Sequence, residues 1–149
     1  MERTLIIVKP DGVQRGLIGD VLARFEHRGL KFVGLKLIHI TPELAEQHYG
    51  VHKGKPFYAG LVKYITSAPV VVGVIEGPKA ISVVRNTMGA TNAAEAVPGT
   101  IRGDYALEIG FNIIHGSDGP ETAKQEIDLF FKPEELVEYT LATQEWVFE

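Results

Sequence analysis

The chain has 149 residues, of which 45% are hydrophobic and 23% are charged, and its formal net charge is -4. A chain of this length usually buries one core, so we expect a single domain over residues 1–149. Cysteine is absent, which excludes disulfides, thiolate nucleophiles and cysteine-ligated metals. No apolar run approaches the roughly 18 residues of a membrane span, and the first residues do not resemble a secretory signal. A soluble, cytoplasmic protein without a membrane partner is expected.

Charge is unevenly distributed along the chain. Residues 121–149 carry eight acidic and two basic residues, whereas residues 1–120 carry 11 acidic and 13 basic ones. A large basic face for nucleic acid is therefore not indicated, but a small anion-binding pocket within the first 120 residues is compatible with this balance.

The first half of the chain alternates between strand and helix patterns. An apolar run predicts a strand over residues 4–8, which ends at Lys9 because Pro10 and Gly12 indicate a turn. The spacing of apolar residues then predicts a helix over 18–28, a strand over 32–38, a helix over 42–49 and a helix over 57–65.

In the second half we predict a strand over 70–75, a helix over 79–88, a loop to Asp104, a strand over 105–109 and a helix over 119–131. Asp118 followed three residues later by Glu121 predicts a capping box for the last helix. The order β-α-β-α-α-β-α-β-α favours a split β-α-β sandwich whose helices cover one face of the sheet. A parallel Rossmann sheet is disfavoured because no glycine-rich phosphate loop follows the first strand.

Four of the five histidines suggest no chemistry. His27 and His39 are typical of surface or structural positions, and His48 and His52 are four residues apart, as in some zinc sites. Gly50 lies between the last two, however, and no acidic ligand follows at a suitable interval, so we do not expect a protein-held metal. Motifs of P-loop, dinucleotide, metalloprotease and serine-hydrolase sites are also absent.

His115 has a different context, since it lies between a predicted strand and a predicted helix and is followed by Gly116. The amides of a helix start bind anions, although a histidine that only fills a loop is the alternative interpretation. Lys9, Arg85 and Arg102 could hold a polyphosphate near it. Taken singly, each of these cations could also be a member of a surface ion pair.

Three segments together resemble the nucleoside diphosphate kinase family: residues 9–13 (KPDGV), 98–104 (PGTIRGD) and 112–118 (NIIHGSD). The resemblance covers nearly the whole chain and includes further landmarks in the same order, namely His48-Tyr49, Pro56-Phe57, Arg85 with Gly89 and Thr91, and residues 125–127.

The resemblance implies an enzyme that transfers the γ-phosphoryl group of a nucleoside triphosphate to a nucleoside diphosphate by a ping-pong mechanism. The group would be carried on His115, since a neutral imidazole is a good nucleophile near pH 7. Glu126 would contact the other ring nitrogen, and Ser117 and Tyr49 would lie beside the ring. From the sequence alone, Glu126 could equally be an exposed helix acid.

The resemblance also implies substrate contacts. Lys9 and Asn112 would bind sugar hydroxyls and phosphates, and Arg85, Thr91 and Arg102 would bind phosphates.

Phe57 would stack on the base, with Leu61 as its apolar neighbour, and stacking suits broad base specificity. A core position in the predicted helix is the alternative for Phe57. Mg²⁺ would accompany the nucleotide, held by phosphates and water rather than by a protein site.

By the same resemblance, the fold is a ferredoxin-like sandwich with a four-stranded antiparallel sheet covered by helices. The chain would form a homo-oligomer, with a hexamer favoured over a tetramer because the tail that includes Trp146 resembles that of hexameric members. Ala93 stands where proline is common, which should loosen the following loop, and Phe111 stands where a cation is common. A non-catalytic nucleotide-binding module and, less plausibly, a hydrolase that uses Ser117 with His115 are the competing functions.

Overall fold

A computed structural model describes residues 1–149. The strands are β1 (Glu2–Val8), β2 (Lys31–Ile38), β3 (Val70–Gly77) and β4 (Ile114–Gly116). The helices are α1 (Pro10–Gln14), α2 (Ile18–His27), α3 (Pro42–His48), α4 (Tyr58–Ile65), α5 (Ala80–Met88), α6 (Ile101–Tyr105) and α7 (Pro120–Phe130). Single 3₁₀ turns lie at Gly50–His52, Ala93–Glu95, Pro133–Glu135 and Gln144–Trp146.

The four strands form one antiparallel sheet in the order β2-β3-β1-β4. Ile7 of β1 pairs with Val72 of β3 on one side and with His115 of β4 on the other. This topology confirms the ferredoxin-like fold. It also places His115 directly beside β1, in which residues 5–8 are fully buried.

Helices cover both faces of the sheet, so the prediction that they cover one face is wrong. Ile6 and Val8 belong to an apolar cluster with residues of α2 and α5, whereas Leu5 and Ile7 belong to a second cluster with residues of α3, α4 and α7. Successive side chains of a strand point to opposite faces, and the continuous apolar runs of β1 and β3 therefore fit a sheet that is buried on both sides.

The predicted strand over 105–109 is also wrong. Tyr105 ends α6, which begins after Thr100, and the Thr100 side chain accepts the amide of Gly103. Leu107 and Ile109 are 84% and 60% exposed, so their alternation with polar residues does not reflect a buried face. The last strand lies nine residues further on, at Ile114–Gly116, and His115 is a strand residue rather than a loop residue.

Two smaller differences concern helix starts. Gly119 rather than Asp118 is the N-cap of α7, and no side chain caps that helix. Pro10 begins the short helix α1, where only a turn was predicted. The other predicted elements begin and end within two residues of the observed ones. None of the helices is long and apolar enough to cross a bilayer.

The two departures from the family pattern differ in burial, since Phe111 is 60% exposed whereas Ala93 is buried. Phe111 lies edge-on against Tyr64, with ring centroids 5.3 Å apart. Ala93 is 4% exposed and starts a 3₁₀ turn in which the Asn92 side chain accepts the amide of Ala94. A looser loop at Ala93 stays a prediction.

Candidate active site

A cavity of about 580 Å³ opens beside β4, between α3, α5 and α7. Eight of the eleven candidate residues from the sequence line it: Lys9, Tyr49, Arg85, Thr91, Arg102, Asn112, His115 and Glu126. The fold thus gathers residues that are up to 117 positions apart in the chain around one space.

His115 and Glu126 form the centre of this cavity. Nε2 of His115 lies 2.9 Å and 3.1 Å from the two carboxylate oxygens of Glu126, and the Ser117 hydroxyl donates to the same carboxylate. Burial raises the pKa of Glu126, but the hydrogen bonds from His115 and Ser117 outweigh burial and hold it below its usual value. Because an ionised carboxylate only accepts hydrogen bonds, a neutral His115 ring in this position carries its proton on Nε2 and its lone pair on Nδ1. Nδ1 makes no hydrogen bond within the chain.

The sheet holds this pair in place through Ser117, which is completely buried although it does not line the cavity. The Ser117 amide donates to the carbonyl of Leu5 at 3.1 Å, and the Leu5 amide donates to the Ser117 hydroxyl oxygen at 3.3 Å. The position of Glu126 is therefore tied to the backbone of β1.

Ile113 bends the backbone just before β4, with a φ of 72°. A branched residue in this left-handed region costs about 1–3 kcal/mol. The strain is opposed by the Asp11 carboxylate, which accepts the Ile113 amide at 3.1 Å, and by the Lys9 amide, which donates to the Ile113 carbonyl at 2.8 Å.

Arg102 is 4% exposed and is fixed by three backbone carbonyls. Its guanidinium donates to Gly89, Asn112 and Ile114 at distances of 3.0, 3.2 and 2.6 Å. Burial, followed by the charge of Arg85, lowers the pKa of Arg102 to about 10, so it remains a cation at neutral pH.

The other cations are also oriented. Arg85 donates to the carbonyl of Gly116 at 3.0 Å. Lys9 Nζ donates to Asn112 Oδ1 at 2.8 Å, and Asn112 Nδ2 donates to the carbonyl of Thr91 at 3.0 Å. Burial, followed by the charge of Arg102, lowers the pKa of Lys9 to about 8. The three cationic side chains thus make the side of the cavity next to β4 electrostatically positive.

Phe57 and Leu61 lie outside the cavity lining. The Phe57 ring is 50% exposed and its centroid lies 5.3 Å from that of His52, which does line the cavity. Leu61 packs instead against the apolar cluster that contains Leu5 and Ile7. The structure therefore brings Phe57 to the rim of the cavity and packs the partly buried Leu61 against the core.

His48, for which no chemistry was predicted, lies within the site. Its side chain is 3% exposed, its ring meets that of His115 edge-on with centroids 4.9 Å apart, and Nδ1 is 3.6 Å from Glu126 Oε2. Burial, followed by the charge of His115, lowers the pKa of His48 to about 3. The available signal in the sequence was the landmark His48-Tyr49, because it places His48 next to a candidate site residue. Tyr49 is 9% exposed, and burial raises its pKa to about 12. The lining also includes residues that were not predicted as site residues, namely Gln47, Val51, His52, Gly116, Asp118, Thr122, Gln125 and Leu129.

Comparisons with known proteins agree with this geometry. A family model described as nucleoside diphosphate kinase matches residues 2–136. The chain is 64% identical over 147 residues to the nucleoside diphosphate kinase of Thermomicrobium roseum, covering 99% of both chains, and 60% identical to that of Pelotomaculum thermopropionicum over the full length of both. A solved structure of a halophilic nucleoside diphosphate kinase from Halobacterium salinarum in complex with CDP matches with a TM-score of 0.97 and 53% identity over 99% of both chains. The chain therefore belongs to the nucleoside diphosphate kinase family and is an enzyme of that class.

Proposed function

We propose that this enzyme moves the γ-phosphoryl group of a nucleoside triphosphate to a nucleoside diphosphate through a phosphohistidine at Nδ1 of His115. One observation carries the proposal: Glu126 engages Nε2 of His115 and leaves Nδ1 without a partner in a cavity lined by Lys9, Arg85 and Arg102.

Each half-reaction is a displacement at phosphorus. The Nδ1 lone pair of His115 attacks the γ-phosphorus, the bond to the bridging oxygen breaks, and the nucleoside diphosphate leaves with that electron pair. The imidazole becomes positive as the bond forms, and the carboxylate of Glu126 stabilises that charge through the Nε2 proton. A second diphosphate then takes the phosphoryl group by the reverse step. Since phosphoryl transfer depends mainly on alignment and charge, fixed cations such as Arg102 suit the task.

Mg²⁺ accompanies the nucleotide in this proposal. Only two carboxylates, those of Asp118 and Glu126, line the cavity. Mg²⁺ prefers six oxygen ligands and often takes them from phosphates and water, so this lining fits an ion carried by the substrate. When bound, the ion neutralises charge on the phosphates.

Phe57 is the candidate platform for the base. Its half-exposed ring at the cavity rim offers a stacking face, and a stacking face accepts any base. The CDP complex of the Halobacterium salinarum relative supports a pyrimidine diphosphate as one substrate. Broad base specificity follows if no polar group at the rim reads the base edge. A contact between Leu61 and the base stays a prediction, since the partly buried Leu61 side chain packs against the core.

We further propose a homo-oligomer, with a hexamer favoured and a tetramer as the alternative. Apolar side chains that are more than half exposed support it: Leu35 and Leu37 on β2, and Leu107, Ile109 and Trp146 outside the sheet. Exposed apolar patches of this kind mark interaction surfaces. Light scattering of the full chain measures the assembly, and a monomer at micromolar concentration would contradict it. A cytoplasmic location stays a prediction from the sequence.

The test is chemical trapping of the phosphoenzyme. We expect the chain, incubated with γ-³²P-ATP and Mg²⁺, to take up acid-labile and base-stable label that GDP removes as labelled GTP. His115→Gln should take up no label and lose at least about a thousandfold in activity, because the nucleophile is gone. His52→Gln, a change in the same cavity, is the matched control and should still take up label. Binding of ATP without label would favour a non-catalytic module, and release of free phosphate would favour a hydrolase.

A further inference from the structure

We propose that His48, His115 and Glu126 together bind a divalent transition-metal ion, represented here by Zn²⁺, and that the bound ion prevents phosphorylation of His115. The second half of this proposal rests on the proposed function, whereas the binding site itself does not.

The geometry of the three side chains is close to that of a metal site. One ligand atom of each residue lies within 4.8 Å of the other two, and the His48 Nδ1 to Glu126 Oε2 distance is 3.6 Å. Bonds of 2.0–2.2 Å in a tetrahedral zinc site separate the ligand atoms by roughly 3.4 Å, so closing the widest gap needs a movement of roughly 1.5 Å. The cavity beside the cluster leaves a fourth position open to water.

The donor set selects the kind of ion. Two imidazole nitrogens and one carboxylate oxygen suit Zn²⁺, Co²⁺ or Cu²⁺. Mg²⁺ prefers oxygen ligands only, so the ion that accompanies the nucleotide does not compete for this set. The site thus distinguishes a transition metal from the metal of the substrate.

His48 supplies an independent observation. The His48 side chain is only 3% exposed, and both of its ring nitrogens are buried without a hydrogen-bond partner. Buried polar atoms without partners are uncommon in native proteins. A metal ion between His48 and Glu126 would give one of these nitrogens a partner. If the ring served packing alone, an apolar ring without nitrogens would suffice.

A metal ion on Nε2 of His115 changes which ring nitrogen carries the proton. Nε2 carries the ring proton and donates it to Glu126. An ion that takes the Nε2 position displaces this proton to Nδ1, so the ring stays neutral and keeps one N–H. Nδ1 then has no free lone pair and cannot attack phosphorus. The metal-bound enzyme still presents the cations Lys9 and Arg102 to the nucleotide but forms no phosphohistidine.

Binding is tested on the full chain with Co²⁺ as the probe and without nucleotide. We expect one Co²⁺ per chain, with the intense visible absorption of a four- or five-coordinate ion that Zn²⁺ removes. His48→Phe keeps a ring against His115 but lacks both nitrogens, and Glu126→Gln lacks the charged ligand. Each should weaken binding by at least about 100-fold, because even outer contacts of a metal site contribute 10–100-fold. The matched control is His52→Gln, since His52 also lines the cavity and has a buried unpartnered Nδ1, and it should bind like the wild type.

Thermal unfolding separates loss of the site from loss of the fold, because Zn²⁺ should raise the Tm of the wild type and of His52→Gln but not of folded His48→Phe. Unchanged Co²⁺ affinity in folded His48→Phe, or binding lost in His52→Gln, would overturn the site.

Blocking is measured by labelling with γ-³²P-ATP and excess Mg²⁺ at buffered free Zn²⁺. Zn²⁺ should lower the label at least tenfold in the wild type. The label of His48→Phe should be much less sensitive to Zn²⁺. Zn²⁺ that binds without lowering the label would overturn the blocking step. If the wild type takes up no label even without Zn²⁺, the proposed function fails, while the Co²⁺ titration still decides the metal site.

Discussion

The two ends of the cavity differ in how firmly the protein holds their side chains. At the end next to β4, Arg102 and Asn112 are nearly fully buried and each makes hydrogen bonds to the chain. At the rim, the Phe57 ring is half-exposed and packs against the side chains of His52 and Lys55. Groups that stabilise developing charge act best when they are fixed beforehand, whereas a stacking face tolerates movement. The difference indicates a strict site for phosphorus beside a permissive site for the base.

Glu126→Gln should disrupt the firmly held end and give the largest of the kinetic effects below. The amide can still accept a hydrogen bond from Nε2 of His115, but it cannot stabilise the positive ring as an ionised carboxylate does. We expect the single-turnover rate of His115 phosphorylation to fall about 10–100-fold, the range seen for carboxylates that orient a metal-binding histidine.

The control for this change is Glu121→Gln, which alters an exposed acid in the first turn of the same helix and should leave the rate unchanged. A rate for Glu126→Gln within twofold of the wild type would show that the carboxylate only orients the ring.

The two ends also differ in what the sequence could predict. Lys9, Arg102 and Phe57 were candidates because they stand in motifs, and the β-α order was enough for the fold because apolar periodicity is local. His48 was missed, since its partners His115 and Glu126 are 67 and 78 positions away and no local interval reveals such a contact. The false strand over 105–109 had a similar cause, because alternation alone does not show whether a face is buried.

Lys9 should make the firmly held end sensitive to alkaline pH. Burial lowers the pKa of Lys9 to about 8, so the free enzyme loses this cation as the pH rises through that value. We expect kcat/KM for the nucleotide to fall by up to about tenfold per pH unit above 8, while kcat changes less because bound phosphates favour the charged amine. Lys9→Arg should remove the decline, since arginine stays charged.

The lowered pKa of Lys9 also determines how the free energy of unfolding changes with pH. The pKa of Lys9 is lower in the folded chain than its ordinary 10.5, so the unfolded chain binds more protons between about pH 8 and 10.5. This contribution makes the folded state more stable as the pH rises through that window. In urea unfolding, the free energy of unfolding should rise less with pH in Lys9→Met than in the wild type. An identical rise in both would contradict the lowered pKa of Lys9.

Phe57→Ala should affect the permissive end, with the smallest effect. Stacking of a base on an aromatic ring contributes about 1–3 kcal/mol, and a half-exposed ring belongs at the low end, which corresponds to a KM about fivefold higher. The increase should be similar for GDP, CDP and UDP, because every base has a stacking face, and kcat should stay within twofold, because the ring lies away from phosphorus. Phe57→Tyr should restore KM. Leu61→Ala serves as the contrast, since the partly buried Leu61 side chain packs against the core and its loss should lower Tm rather than raise KM. A KM that rises for one base only would mean that the rim reads base edges, and the two ends would then be equally selective.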